Sequence, residues 1–245
     1  MTDLHTHILP GMDDGAKSPE DALCLLNMEL QNGVEQVALT SHFSCDQETP
    51  EEFLQRREVA FSRLLAVAPA QLRLKRGCEV YYSPAMLQIE PERLCLEGTG
   101  FLLLELPLLS RPAYLDVLLQ QLQLRGIVPL IAHVERYAYV RRNPRLLAEW
   151  ISMGALIQIN AQSVLSGDRF VRKLLKWGLV QVVASDAHSC AHRPPNLGKA
   201  MEHIGRICGT ESARRLRDNA RAVFNGEIPE IQRIHIPRKV LGFWI

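Results

Sequence analysis

The sequence lacks several features that would assign a protein to a class at once. It has no C-x-x-C pair, few aromatic residues (6%), and no stretch approaching the roughly 20 apolar residues that a membrane-spanning helix needs. Neither sign of charge dominates, because 28 Lys and Arg residues oppose 27 Asp and Glu residues, for a formal net charge of +1. These absences argue against a membrane-spanning protein and against a nucleic-acid binder, which would carry a basic surface.

The cysteines are few and isolated. Their spacing forms no disulfide framework, so we expect reduced thiols in a cytoplasmic protein, most of them buried as small apolar side chains. The chain also starts without a basic segment followed by an apolar one, which predicts a soluble protein without a secretion signal. The six positions are Cys24, Cys45, Cys78, Cys95, Cys190 and Cys208.

Short apolar runs alternate with amphipathic segments along the whole chain. The amphipathic segments have helix-start signals, such as Ser18-Pro19 and Thr49-Pro50 followed by acidic residues, and glycines such as Gly33 and Gly126 mark their ends. About seven strand–helix units in 245 residues predict one α/β domain, 1–245, with a parallel sheet. The predicted strands are Asp3–Ile8, Val37–Leu39, Leu72–Leu74, Phe101–Leu106, Ile127–Ala132, Ala155–Ile159 and Val180–Ala184.

Polar residues that can bind metal stand at the carboxyl ends of nearly all these strands, which favours a closed barrel because barrel enzymes build their sites at that edge. His5 and His7 are two residues apart on the first strand, so both imidazoles can face one ion. Alone, such a pair is more often incidental than a metal site. The pattern repeats at later strand ends, where the candidate ligands are His42, Glu79, Glu105, His133, Asp186 and His188.

Two carboxylate positions had alternative explanations. Glu105 interrupts an apolar strand and would be costly to bury without a cation, a hydrogen-bond donor or a structural ion pair. Asp13-Asp14-Gly15 supplies either another ligand or a solvated turn. The mixture of imidazoles and carboxylates favours Mn²⁺ first, then Fe or Zn²⁺, over Mg²⁺.

These residues resemble the polymerase and histidinol phosphatase (PHP) superfamily, whose pattern is H-x-H, a further His, a bridging Glu, another His and a final D-x-H. Longer motifs resemble the bacterial capsule- and exopolysaccharide-associated, manganese-dependent protein-tyrosine phosphatases. The resemblance covers nearly the whole chain and rests on 5–15, Thr40-Ser41-His42, 77–82, 132–137, Ala184-Ser185-Asp186-Ala187-His188 and Arg193-Pro194-Pro195.

The resemblance implies a distorted (β/α)7 TIM-like barrel with three divalent metal ions. One ion would be held by His5, His7, Glu79 and Asp186, and a second by the bridging Glu79 with Glu105 and His133. The third would be held by His42, His188 and an aspartate, Asp14 in preference to Asp13. Arg136 and Arg193 match the phosphate-binding arginines of the family.

The function implied is hydrolysis of phosphotyrosine by metal-bound hydroxide. The implied substrate is a phosphotyrosine protein, the C-terminal tail of a bacterial tyrosine kinase that regulates capsule synthesis. Independently of the family, the residues support hydrolysis of a phosphate ester or a related bond. The chain departs from the family at Phe43–Asp46 and in the tail Arg233–Ile245, whose apolar end Val240–Ile245 is expected to be a docked strand or a partner contact.

Three other functions compete with this one. Cys208 and Arg214 have the C-x5-R spacing of thiol-based tyrosine phosphatases, but an amphipathic helix precedes the cysteine where such a loop needs a strand. TatD-like nucleases and amidohydrolases share the H-x-H start but typically lack the second histidine of Asp186-Ala187-His188. A non-catalytic binding module would be expected to have lost ligands, and none is missing here.

Overall fold

The computed structural model describes residues 1–240 and 242–244. Its first nine strands are all parallel and build the wall of a barrel. Two further strands form a separate antiparallel hairpin near the C-terminus. The strands are β1 Thr2–Thr6, β2 Gln36–Leu39, β3 His42–Phe43, β4 Arg73–Arg76, β5 Glu79–Tyr81, β6 Phe101–Glu105, β7 Val128–Ile131, β8 Leu156–Asn160, β9 Val182–Ala184, β10 Lys239–Val240 and β11 Phe243–Trp244.

The nine parallel strands form seven rows, which confirms the predicted α/β barrel. One sheet has the order β1-β2-β4 and the other β3-β5-β6-β7-β8-β9. The two sheets form one continuous wall because two of its rows each consist of two strands in succession. After a break of two residues, β3 continues the line of β2, and β5 continues the line of β4. The barrel closes where Thr6 pairs with Ala187, and the amide of His7 donates to the carbonyl of Ala187 at 2.8 Å.

Nine helices connect the strands in the part of the chain that the structure describes. The predicted starts are confirmed: Ser18 caps α1, and Thr49 with Glu52 forms a capping box at α2, each with proline in the first turn. Gly33 and Gly126 adopt positive φ just beyond helix ends. The helices are α1 Pro19–Gln31, α2 Pro50–Leu65, α3 Leu115–Leu124, α4 Ala138–Arg142, α5 Arg145–Ser152, α6 Ala161–Leu165, α7 Arg169–Lys176, α8 Leu197–Cys208 and α9 Thr210–Asn225; short 3₁₀ helices span Pro84–Gln88, Pro91–Leu94 and Val134–Arg136.

One end of the barrel is closed by apolar packing, which leaves the other end for chemistry. Inward residues of the strands, such as Leu103 and Leu130, form an apolar cluster with Val223 and Phe224 of α9. Asn219 of α9 donates to the carbonyl of Gln181, just before β9 begins, so α9 covers the amino ends of the strands. The carboxyl ends therefore face the open mouth.

The cysteines differ from the sequence-based expectation. Cys24 of α1 and Cys190, which follows β9, are joined in a disulfide, so the prediction of six reduced thiols is wrong for these two. The partners are separated by 166 residues, and only the folded barrel brings them together. The remaining free cysteines are Cys45, Cys78, Cys95 and Cys208, of which Cys78 and Cys95 are buried as predicted.

The C-terminal tail lies against the outside of the barrel. Its strands β10 and β11 pair with each other, and the indole Nε1 of Trp244 donates to the carbonyl of Arg142 at 3.1 Å. The predicted docked strand at Val240–Ile245 is thus a small hairpin, although Leu241 and Ile245 lie outside the described residues. Within the described ranges, no helix combines the length and the apolar character that crossing a membrane requires.

Candidate metal centre

The predicted ligands from the first strand meet at the barrel mouth. His5 lies in β1, whereas His7 lies one residue beyond its end, a small correction to the prediction that both belong to the strand. Both side chains are buried, and their Nε2 atoms face each other at 3.2 Å. Two imidazole lone pairs at this distance repel unless a cation or a proton lies between them.

Glu79, the first residue of β5, lies at the centre of the cluster. Its Oε2 atom is 3.2 Å from Nε2 of His5, 3.3 Å from Nε2 of His7 and 3.0 Å from Nδ1 of His42. Its Oε1 atom is 2.9 Å from Nε2 of His133. One carboxylate therefore faces four imidazoles, the arrangement expected of a bridging ligand.

Asp14 and Asp13 have different surroundings. The Oδ1 atom of Asp14 lies 3.5 Å from Nε2 of His42 and 3.3 Å from Nε2 of His188. Asp13 instead faces Nδ1 of His7 at 2.8 Å and accepts hydrogen bonds from the backbone amides of Gly15 and His42. Asp14 therefore faces two of the predicted ligands, whereas Asp13 contacts His7 and two backbone amides.

Glu105 ends β6 and belongs to the same cluster. Its two oxygens lie 3.5 Å from Nε2 of His133 and 3.9 Å from Nδ1 of His42. Within residues 1–240 and 242–244, neither Lys nor Arg forms a salt bridge with Glu105. The alternative of a structural ion pair with a basic residue is therefore not supported.

The donor atoms fit divalent cations. Oε2 of Glu79 and Nε2 of His188 face the cluster and are buried without a hydrogen-bond partner, and such atoms need a ligand to compensate for lost water. Mixed imidazole nitrogens and carboxylate oxygens suit Mn²⁺, Fe and Zn²⁺. Three groups have donor atoms mutually within 4.8 Å: His7, Asp14, His42 and His188; His5, His7 and Asp186; and His42, Glu79 and Glu105.

A basic cavity adjoins the cluster at Asp186. Nη2 of Arg193 lies 2.5 Å from Oδ2 of Asp186, and Nη1 of Arg136 lies 3.8 Å from the same oxygen. Both arginines are partly exposed and line a cavity of about 430 Å³. The structure thus brings both predicted arginines to the edge of the metal-binding cluster; the rest of the lining includes Asn160, Gln162, Ser163, Ser185, His192, Pro194 and Asn196.

Comparison with known proteins identifies the family to which this architecture belongs. Residues 1–225 match the family model described as capsular polysaccharide synthesis, CpsB/CapC. The chain belongs to the CpsB/CapC family. It is 32% identical to the tyrosine-protein phosphatase CpsB of Streptococcus pneumoniae over 93% of this chain and 100% of that protein. It is 30% identical to the tyrosine-protein phosphatase YwqE of Bacillus subtilis, with both chains covered completely.

A solved structure agrees with the family assignment. The chain matches a chain from the crystal structures of YwqE of Bacillus subtilis and CpsB of Streptococcus pneumoniae, described as metal-dependent tyrosine phosphatases. The TM-score is 0.87 at 27% identity, with 98% of this chain and 100% of that chain covered. The CpsB/CapC match ends at residue 225, so the tail and its hairpin follow the matched region.

The charged side chains of the metal-binding cluster shift one another's pKa values. Burial opposes ionisation of Glu79, but the surrounding histidines, His5 foremost, hold its pKa well below the ordinary value. For His7, burial is outweighed by Asp13 and Glu79, which raise its pKa to about 10. Burial and the neighbouring His7 lower the pKa of His188 to about 4. Glu79 is therefore ionised, and protons compete with metal ions for His7.

The thiol-based alternative fails on geometry. Cys208 is the last residue of α8, and Arg214 lies in α9, where it pairs with Glu211 and Asp218. Burial raises the pKa of the Cys208 thiol, so the thiolate that such a mechanism needs is disfavoured. Neither residue lines the cavity at Asp186.

Three polar residues that contact the cluster are not among the site residues predicted from the sequence. Asp3 accepts hydrogen bonds from the amides of Ser185 and His5 and thereby connects β1 to the segment after β9. Gln158 and Asn160 of β8 are buried beside the candidate ligands. The alternation Ile157-Gln158-Ile159-Asn160 was the available signal, because two polar residues on one face of a buried strand require polar partners.

Proposed function

We propose that this chain is a metal-dependent protein-tyrosine phosphatase acting in capsular polysaccharide synthesis. The observation that carries the proposal is the juxtaposition of a His, Asp and Glu cluster with two arginines at one barrel mouth. Membership of the CpsB/CapC family, whose curated relatives are called tyrosine-protein phosphatases, supports the same reaction.

We assign nine metal ligands to three divalent ions, with Mn²⁺ as the first choice. The short distances around Glu79 support its bridging position, and the position of Asp14 supports its choice over Asp13. His7 occurs in two groups of neighbouring donor atoms, one with His5 and Asp186 and the other with Asp14, His42 and His188. It is therefore within reach of either of two ions. The proposed ligands are His5, His7, Asp14, His42, Glu79, Glu105, His133, Asp186 and His188.

Ions bound in this cluster would activate water as a nucleophile and neutralise charge on the phosphoryl oxygens. Arg136 and Arg193 hold the non-bridging oxygens through charge-assisted hydrogen bonds, which orients phosphorus toward the cluster. Both guanidinium groups line the cavity beside Oδ2 of Asp186, so a phosphate group held by them would lie next to the cluster. A phenol with a pKa of about 10 leaves more readily than an alkyl alcohol, which suits a site without a dedicated general acid.

The physiological substrate in this proposal is a phosphotyrosine protein in the cytoplasm, namely the C-terminal tail of a bacterial tyrosine kinase that controls capsule or exopolysaccharide synthesis. An extended tail can reach a site at the open end of the barrel, whereas a tyrosine in a rigid domain would be hindered. The whole chain, 1–245, acts as one catalytic unit in this account.

The test is an assay of metal-depleted protein on three substrates, with and without restored Mn²⁺. A phosphotyrosine peptide, single-stranded DNA and a cyclic amide separate the phosphatase from TatD-like nucleases and amidohydrolases. We expect hydrolysis of the peptide only, and only with metal. Hydrolysis of DNA or the amide at a comparable rate would overturn the assignment, as would peptide hydrolysis that survives chelation.

The arginines provide a second test. Removing a charge-assisted hydrogen bond costs about 1.5–3 kcal/mol, so Arg136→Ala and Arg193→Ala should each lower kcat/KM by roughly tenfold or more. Metal content at saturating Mn²⁺ should stay at the wild-type level. Arg214→Ala, an exposed arginine on α9, is the matched control. Normal kcat/KM in either cavity variant would remove that arginine from the site.

A further inference from the structure

Two candidate ligands have a strained backbone. Among the described residues, His133 and Asp186 are the non-glycine residues with positive φ, at 30° and 56°. L-residues avoid this region unless their surroundings impose it. Both residues follow strands, β7 and β9, that lie on either side of β8 in the sheet.

Strand β8 itself contributes no candidate ligand but ends between the two strained residues. Its side chains Gln158 and Asn160 are two residues apart, so they share one face of the strand, and Ile157 and Ile159 pack into the apolar core on the other. Gln158 is fully buried and Asn160 is 9% exposed. The two amides contact each other, because Nε2 of Gln158 donates to Oδ1 of Asn160 at 2.9 Å.

Gln158 fixes the histidine side of the cluster. Its Oε1 atom accepts a hydrogen bond of 2.6 Å from the backbone amide of His133, the residue with the left-handed conformation. The same oxygen lies 3.5 Å from Nδ1 of His5, which favours a proton on Nδ1 and leaves Nε2 of His5 free for a metal.

Asn160 fixes the carboxylate side. Its Nδ2 atom donates to Oδ2 of Asp186 at 2.7 Å. The other oxygen, Oδ1, faces Nε2 of His5 at 3.4 Å and Nε2 of His7 at 3.5 Å. Because Asn160 and Arg193 both donate to Oδ2, the Oδ1 atom is directed at the cluster. The backbone amide of Asn160 donates to Oε1 of Glu135 at 3.0 Å, so the end of β8 is also held in place.

We propose that Gln158 and Asn160 are positioning residues that set metal affinity: Gln158 holds the strained backbone of His133, and Asn160 holds the carboxylate of Asp186. This inference rests on the proposed metal site and adds residues that do not themselves bind the ion. Outer hydrogen bonds of this kind typically change metal affinity by about 10–100-fold when removed.

The test compares four variants by metal affinity. Gln158→Leu and Asn160→Ala remove the hydrogen bonds, and Gln158→Glu retains the acceptor that His133 and His5 use but loses the donor to Asn160. Gln181→Leu is the control, because Gln181 is also a buried amide bonded to backbone groups, but it precedes β9 at the opposite end of the barrel. The dissociation constant of Mn²⁺ is measured by competition with a chelator, alongside thermal unfolding of the metal-free proteins.

We expect Gln158→Leu and Asn160→Ala to weaken Mn²⁺ binding by about 10–100-fold. Saturating Mn²⁺ should restore much of the lost turnover in both. Gln158→Glu should bind Mn²⁺ more tightly than Gln158→Leu, because it keeps the acceptor, even though a buried charge lowers its thermal stability. Gln181→Leu should lose thermal stability with its Mn²⁺ affinity unchanged.

Two results would overturn the inference. One is wild-type Mn²⁺ affinity in both Gln158→Leu and Asn160→Ala. The other is weakened binding in Gln181→Leu to the same extent, which would make the effect one of general stability. Failure of the proposed function looks different, because the wild-type chain itself would then bind no Mn²⁺ or hydrolyse no phosphotyrosine peptide.

Discussion

Oδ2 of Asp13 lies 2.8 Å from Nδ1 of His7, while the next residue, Asp14, faces His42 and His188. Adjacent carboxylates thus have separate tasks. We predict that Asp14→Ala removes one equivalent of bound metal, because it deletes a ligand. Asp13→Asn should retain all the metal at saturation with weaker affinity, because an amide oxygen can still accept from His7.

Metal analysis after dialysis against a fixed Mn²⁺ concentration distinguishes the two aspartates. Asp21→Ala, an exposed aspartate in the first turn of α1, controls for the loss of a negative charge. If Asp13→Asn lost the equivalent and Asp14→Ala kept it, the assignment of the two residues would be reversed.

Gly15 is required by its close approach to His7. A Cβ atom at this position would lie 2.0 Å from the carbonyl oxygen of His7 and 2.5 Å from its Cβ. We predict that Gly15→Ala displaces His7, with loss of metal and turnover and a destabilisation above about 1 kcal/mol. Gly205→Ala in α8 is the control, since its Cβ meets nothing closer than 3.9 Å. Equal metal content and stability in both variants would show that the loop accommodates the methyl group.

Glu29 of α1 is a buried carboxyl next to Asp3, and neither of its oxygens accepts a hydrogen bond. Burial and the negative charge of Asp3 raise its pKa well above the ordinary 4.5, although the N-terminal amino group opposes this. A raised folded-state pKa means that the folded chain holds the proton more tightly. The contribution of Glu29 to stability is therefore complete below about pH 4.5 and is lost as pH rises through the folded-state pKa.

We predict that Glu29→Gln becomes progressively more stable than wild type as pH rises above about 4.5, because a neutral amide can donate to Asp3 without losing a proton. The measurement is the difference in free energy of unfolding between the two metal-free proteins from pH 4 to 8. Both proteins contain the same histidines, so subtracting one free energy of unfolding from the other removes the contribution of histidine titration. A constant difference, or one that falls with pH, would contradict the account.

The disulfide between Cys24 and Cys190 connects α1 to the turn that carries Arg193. Closing so long a loop restricts the unfolded chain, and we predict that Cys24→Ser lowers the free energy of unfolding by about 2–4 kcal/mol under non-reducing conditions. Reductant should lower the stability of wild type to that of the variant. Cys208→Ser, at a free cysteine, should change little. Identical unfolding of oxidised and reduced wild type would refute the stabilising role.

The sequence predicted the barrel and the residues at its mouth because both follow from local patterns. Alternating apolar runs and helix caps predicted the seven rows of strands. Polar residues at the ends of those strands predicted His42, Glu79 and His133 as ligands. The roles of Asp13 and Asp14 could not be separated, because adjacent residues in a turn differ only in the directions of their side chains. The contacts of Gln158 and Asn160, like the disulfide, join residues distant along the chain, and only the closed barrel brings them together.

The most direct test of the central claim combines bound metal with phosphotyrosine hydrolysis in wild type and His5→Ala. His5 is buried with Nε2 facing Glu79 and Asp186, so its removal should lower both bound Mn²⁺ and kcat/KM on a phosphotyrosine peptide by at least tenfold. His203→Ala, a histidine on α8, should leave both unchanged. Wild-type hydrolysis by a His5→Ala protein that has lost metal would contradict the account.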